Sequence, residues 1–135
     1  MRAAVASVAL LLSACAAPHA SSISIEDLFG QKGDYSVLFH SSYCDQCAAL
    51  LQDVTLPEKS FYLIDIDEFA VYDYLAYSSN VEKAKAESLG ATSASQIGFV
   101  YAPLLLQIED GAVAGYYCGY AECKEYIERG SYHAS

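Results

Sequence analysis

The chain has 135 residues and is 54% hydrophobic, which fits a single domain with its own core and makes a disulfide-stapled miniature scaffold unnecessary. Its 17 acidic against 7 basic side chains give a net charge of -10. That charge repels phosphate backbones and anionic membrane surfaces, so nucleic acid is not an expected partner; its ordinary use is solubility or attraction of a basic protein.

Residues 1–14 read as a signal peptide. Arg2 is followed by an apolar run from Ala3 to Leu12, too short for the roughly 30 Å of a bilayer core. "LSAC", Leu12 to Cys15, resembles the lipobox of bacterial lipoproteins, in which the cysteine is acylated and becomes the mature N-terminus. Cleavage before Cys15 implies a lipidated Cys15, a tether of small residues over 15–22, and an extracytoplasmic domain held at a membrane by its lipid anchor only. Ala14-Cys15-Ala16 also has the A-x-A form of an ordinary cleavage site, and that alternative gives a secreted or periplasmic soluble protein. Five cysteines leave one odd thiol in a compartment where disulfides persist. Lipid on Cys15 leaves two local pairs, Cys44 with Cys47 and Cys118 with Cys123.

The folded domain is expected over 23–130, with a short tail at 131–135. Ser24 and Asp27 form an S-x-x-D capping box, predicting a helix from Ile25 to about Gln31 that Gly33 and Asp34 end. "YSVLFH", Tyr35 to His40, and "FYLIDID", Phe61 to Asp67, are buried-strand candidates. Between them Ala48, Leu50, Leu51 and Val54 mark a helical face that Pro57 closes. Glu68 to Leu89 reads as two helices broken at "SSN", with Asn80 capping the second and Gly90 at its end; "ATSASQIG" is a loop. A strand at Leu104 to Glu109, a turn at Asp110-Gly111, a strand at Ala112 to Tyr117 and a helix from about Ala121 follow. Strands alternating with helices predict an α/β fold of three layers, a central mixed sheet of about four strands flanked by helices, closed by a C-terminal β-hairpin plus helix.

In "SSYCDQC", Ser41 to Cys47, two cysteines separated by two residues follow one strand and open a helix. Thiol–disulfide exchange needs that arrangement, because a thiolate attacks a substrate disulfide and a second thiol nearby resolves the mixed disulfide. The open helix end favours the Cys44 thiolate, and Cys47 one turn on is within bridging reach. With "YAPLLLQIEDG" and "YYCGY" later in the chain, the whole resembles the thioredoxin-like superfamily from about Ile23 to Gly130. The resemblance implies a thiol–disulfide oxidoreductase without a cofactor, acting on protein or peptide thiols and disulfides and served by a redox partner protein. Cys44 would be its nucleophile and Cys47 its resolving thiol. Pro103 would be the family's cis-proline, Ala102 the residue whose backbone pairs with a substrate chain, and Gly119 the glycine ending the second hairpin strand. Tyr43, Tyr101 and Tyr120 would line a groove for an extended polypeptide.

Several residues depart from the family pattern. Tyr43 stands in place of a tryptophan, and Asp45 and Gln46 lie between the cysteines. Leu38 and Leu63 replace a buried aspartate and its lysine partner, so water or another group has to assist deprotonation of Cys47. His40, at a strand end, reads as a packing or surface residue. A carboxylate at Asp45 about 6 Å from the thiolate costs about 0.7 kcal/mol in water-like dielectric, against about 0.3 to 1 kcal/mol from the helix terminus. The direction of electron flow therefore stays open.

Cys118 and Cys123 admit two readings: a structural disulfide closing a short loop, worth roughly 2 kcal/mol, or a relay exchanging electrons with Cys44 and Cys47. Two thiol pairs can also supply a tetrahedral zinc site, and the same groove can serve a non-catalytic accessory protein that binds a peptide or partner. Tyr72, Tyr74 and Tyr77 are expected to pack a helix on the sheet with their hydroxyls at the rim.

Overall fold

The structure, a computed structural model, describes residues 20–68 and 71–130. The predicted signal peptide, Cys15, most of the tether and the 131–135 tail lie outside the described residues. In chain order the elements are β1 (Ser21–Ser22), a 3-10 turn (Ile25–Asp27), β2 (Tyr35–His40), α1 (Asp45–Asp53), β3 (Phe61–Asp65), α2 (Val71–Tyr74), β4 (Ala76–Tyr77), α3 (Val81–Ser88), a second 3-10 turn (Ala94–Gln96), β5 (Gly98–Phe99), β6 (Leu104–Glu109), β7 (Ala112–Cys118) and α4 (Tyr120–Arg129).

Five strands form one mixed sheet in the order β1-β3-β2-β6-β7, and β4 pairs with β5 in a small parallel sheet. β2 lies at the centre, parallel to β3 and antiparallel to β6. Alternation along β2 feeds both faces of the sheet. Val37 and Phe39 join a cluster with Ile64, Leu104, Leu106 and Tyr116, covered by Ile25 and Leu28, by Val71 and by Ala84. Leu38 joins the opposite cluster with Leu50, Leu63, Leu105, Tyr126 and Ile127, where α1 and α4 pack against each other. The fold is thus α/β, with helices on both faces of the sheet. Buried hydroxyls are paired: Tyr35 donates to the Leu28 carbonyl at 2.7 Å, and Ser36 Oγ lies 2.9 Å from the Tyr126 hydroxyl.

Four expectations are corrected. The sheet has five strands because Ser21 and Ser22, expected in the tether, pair with Tyr62 and Leu63. The helix expected over Ile25 to Gln31 is a single 3-10 turn. Ser24 Oγ donates to the Asp27 carboxylate at 3.0 Å instead of capping backbone N–H groups. Glu68 to Leu89 holds two helices as expected, but the first, α2, is a single turn, since the chain after it becomes β4, whose Ala76 N–H donates to the Ile97 carbonyl at 2.9 Å. Tyr77 is 85% exposed there and packs no helix, whereas Tyr72 on α2 stacks edge-on against Phe99 of β5 in the small sheet. The strand expected to reach Asp67 ends at Asp65, where Asp67 turns toward the β2 end. The remaining expectations on helix ends and turns match: Asn80 Oδ1 accepts the Lys83 N–H at 3.0 Å, and Asp110 and Gly111 both have positive φ, 54° and 75°, as a two-residue hairpin turn of the primed type requires.

Candidate functional site

The C-terminal ends of the parallel strands β2 and β3 set the site. His40 pairs with Asp65 in register, and the chain leaves β2 through Ser41 and Ser42. The Asp67 carboxylate comes from the β3 side and accepts Ser41 Oγ at 2.8 Å, the Ser42 N–H at 3.0 Å and Ser42 Oγ at 3.1 Å. Ser41 Oγ in turn accepts the Tyr43 N–H at 3.1 Å. These bonds fix the turn that delivers Cys44, and the bond from Ser41 above all holds the Asp67 carboxyl below the usual carboxylate range.

Cys44 is the N-cap of α1, in an extended conformation with φ -106° and ψ 111°. Its sulfur accepts the Cys47 N–H at 3.0 Å, one of the donors that a helix start leaves unpaired. The same thiol faces the Ala102 carbonyl at 3.5 Å. Cys47 is 1% exposed, and its pKa is pushed up to about 12, chiefly by burial and next by its hydrogen bond with Cys44. Leu38 and Leu63 pair in register and are buried, so an apolar floor occupies the two positions where the family resemblance implied an aspartate and a lysine.

The Ala102–Pro103 bond is cis, at the start of β6. The Pro103 carbonyl accepts the Gly119 N–H at 2.8 Å, which ties the proline segment to the end of β7. Gly119 has φ 96° and ψ 163°, a conformation open essentially to glycine alone. Tyr43 is 88% exposed beside Cys44, and Tyr101 stands between two grooves. One groove, about 510 Å³, is lined by Cys44, Ser41, Tyr72, Tyr77, Phe99 and Ala102. The other, about 700 Å³, is lined by Cys118, Asp45, Gln46, Gly119, Tyr120 and Glu122. The residues singled out from the sequence therefore gather at one pole of the sheet, Cys15 alone lying outside the described residues.

Cys44, Cys47, Cys118 and Cys123 all carry free thiols. Cys118 is buried among the residues of the Phe39 face, and Cys123 among those of the Leu38 face. Burial raises both pKa values, Cys118 to about 11. Among the described residues no group of three His, Cys, Asp or Glu side chains is arranged to hold a metal ion.

Two contributors are not evident from the sequence alone. Local pattern places Asp67 only at the end of a strand, although the polar "SSY" before Cys44 signals a need for partners. Gln46 bridges two elements, since its Oε1 accepts the Tyr120 N–H at 3.3 Å and so joins the start of α1 to the start of α4. No protein-family model and no curated protein matches the chain.

Proposed function

We propose that this is a thioredoxin-like, extracytoplasmic thiol–disulfide oxidoreductase acting on protein disulfides, held at a membrane by lipid on Cys15. The observation that carries the reading is the Cys44 sulfur, which caps a helix by accepting the Cys47 N–H at 3.0 Å while lying beside the cis-proline segment at Ala102. A sulfur so placed is partly open to solvent and oriented by the helix start. It attacks one sulfur of a substrate disulfide, the S–S bond breaks, and the substrate's other sulfur leaves as a thiolate. Cys47 then attacks the Cys44 sulfur, forming the Cys44–Cys47 disulfide and releasing the second substrate thiol. The Cys47 thiol has to lose its proton first, and with Leu38 in place of a carboxylate the expelled substrate thiolate takes it, directly or through water.

Insulin reduction by the full chain, driven by an external dithiol, tests this. Turnover is expected to vanish in Cys44→Ser, and Cys47→Ser is expected to accumulate a mixed disulfide with the substrate. Turnover that survives Cys44→Ser would sink the reading in favour of a peptide-binding accessory domain.

A further inference from the structure

Cys118 and Cys123 have no part in those two steps, yet they are built into the same pole. Three consecutive carbonyls of the proline segment each face a different thiol. Cys118 donates to Tyr101 at 3.6 Å, Cys44 to Ala102 at 3.5 Å and Cys123 to Pro103 at 3.7 Å. The fourth thiol, Cys47, is joined to Cys44 through its backbone N–H. Gln46 and Gly119 hold the two helix starts together around this segment. Exposure is graded along the set: Cys47 and Cys123 are 1% and 0% exposed, whereas Cys44 and Cys118 each line a groove of their own. Cys123 also lies near enough to Cys118 and to Cys47 for a charge on either to raise its pKa. Cys44 and Cys118 open to different grooves, while Cys47 and Cys123 are sealed from water.

We propose that Cys118 and Cys123 are a second redox couple that exchanges a disulfide internally with Cys44 and Cys47, so that substrate and reductant are served at separate grooves. The proposal rests on the oxidoreductase reading above. After a substrate has been reduced, the domain holds a Cys44–Cys47 disulfide. The Cys123 thiol attacks the Cys47 sulfur, forming a Cys47–Cys123 bond and expelling Cys44, whose sulfur takes up the proton that Cys123 gives up. The Cys118 thiolate attacks the Cys123 sulfur and expels Cys47, which takes up the proton Cys118 gave up. One disulfide and two thiols enter, and one disulfide and two thiols remain, so no outside oxidant or reductant is needed. A protein dithiol arriving at the Cys118 groove then reduces the Cys118–Cys123 disulfide and is itself oxidised.

The direction follows from the surroundings of the sulfurs. Cys44 sits at a helix start, receives the Cys47 N–H and is only partly buried, so its sulfur escapes the burial that disfavours a leaving thiolate at the second pair. Cys118 and Cys123 are buried, and burial disfavours both thiolates by more than the hydrogen bonds from Tyr101 and the Leu105 backbone favour them. Electrons therefore run from the second pair to the first.

The test uses the full chain, reduced and freed of reductant, then given one equivalent of oxidised glutathione, acid-quenched at intervals, alkylated and peptide-mapped. The Cys44–Cys47 disulfide is expected to appear first and decay as Cys118–Cys123 rises. Cys118→Ser, shown by circular dichroism to be folded, is expected to stop at the Cys44–Cys47 disulfide, and Cys44→Ser to form no Cys118–Cys123 disulfide on that time scale. A wild-type Cys44–Cys47 disulfide that persists with Cys118 and Cys123 alkylated overturns the relay alone, as does equally fast Cys118–Cys123 formation in Cys44→Ser. Failure of Cys44 and Cys47 to oxidise, together with no insulin reduction, overturns the underlying reading as well. The wild-type time course needs no variant, so a misfolded mutant does not decide the outcome.

Discussion

At Cys44 the sulfur takes a backbone N–H at an open helix end, while the Cys47 sulfur is buried and its pKa is pushed from the ordinary 9.0 up to about 12. The folded value lies above the unfolded one, so the neutral Cys47 thiol contributes stability to the reduced fold below about pH 9. That contribution is lost as the pH rises from there through about 12. Cys118 and Cys123 are shifted the same way, and Cys47 is isolated by difference. Denaturant midpoints of the reduced protein are expected to fall above pH 9, and to fall less steeply in Cys47→Ala. Equal falls in the two proteins would remove the assignment. Asp67 acts one step further out, through the turn that places Cys44. Asp67→Asn, still able to accept hydrogen bonds but without charge, is expected to lower kcat several-fold with little change in KM, since a misplaced nucleophile loses orientation rather than binding. An unchanged kcat would show that the Ser41 and Ser42 bonds do not control the nucleophile. The place of Cys44 and Cys47 at a helix start was legible from local spacing, and the cis bond at Pro103 from the resemblance. Asp67 was not, because its meeting with Ser41 depends on the register that sets His40 beside Asp65, and register joins residues far apart in sequence.

Among the elements, α3, β5 and β7 meet at a buried polar node close behind the Cys44 groove. Ser88 Oγ donates to the Ala84 carbonyl at 2.6 Å and accepts the Gly98 N–H at 2.8 Å, and the Gly98 carbonyl accepts the Tyr116 hydroxyl at 2.7 Å. A Cβ on Gly98 would stand 2.9 Å from the Ala84 Cβ and 3.0 Å from its Cα, too close without movement of α3. Gly98→Ala is expected to cost about 1–3 kcal/mol through overpacking, and Ser88→Ala about 1–3 kcal/mol by leaving a buried N–H unpaired. Urea midpoints at neutral pH measure both, and an unshifted midpoint in Gly98→Ala would mean that α3 yields freely. The long strands around this node could be read from the sequence because β2 and β6 are apolar runs bounded by turn residues. β4 and β5 could not be. Each is two residues long, too short for any periodicity, and each becomes a strand only by pairing with the other. Tyrosine fits a helix or a strand surface equally well, so Tyr72 to Tyr77 carried no local signal against a helix.

For the whole molecule, the direction of the strands decides how an anchored domain would present its site. β1, β3 and β2 are parallel, and Ser21 pairs with Tyr62 near the start of β3, whereas Cys44 follows the far ends of β2 and β3. A tether from Cys15 therefore enters at the pole opposite the cysteines. β1 takes up Ser21 and Ser22, two residues that the composition assigned to the tether. The net charge of -10 gives an anionic surface nothing to hold, and among the described residues no helix is long and apolar enough to cross a membrane. Under the proposed reading, retention at a membrane would depend on the lipid alone. The wild-type chain expressed in a bacterium is expected to sediment with membranes through a wash of about 1 M salt, where screening leaves a Debye length of about 3 Å, and to be released by detergent. Cys15→Ser is expected in the soluble fraction. With the cysteine pole facing away from the bilayer, the anchored and the soluble forms should reduce insulin at equal rates per molecule. A wild-type chain released by salt would replace lipid with an electrostatic partner. An anchored form much slower than the soluble one would mean that the site faces the membrane, against the strand directions that place it at the distal end.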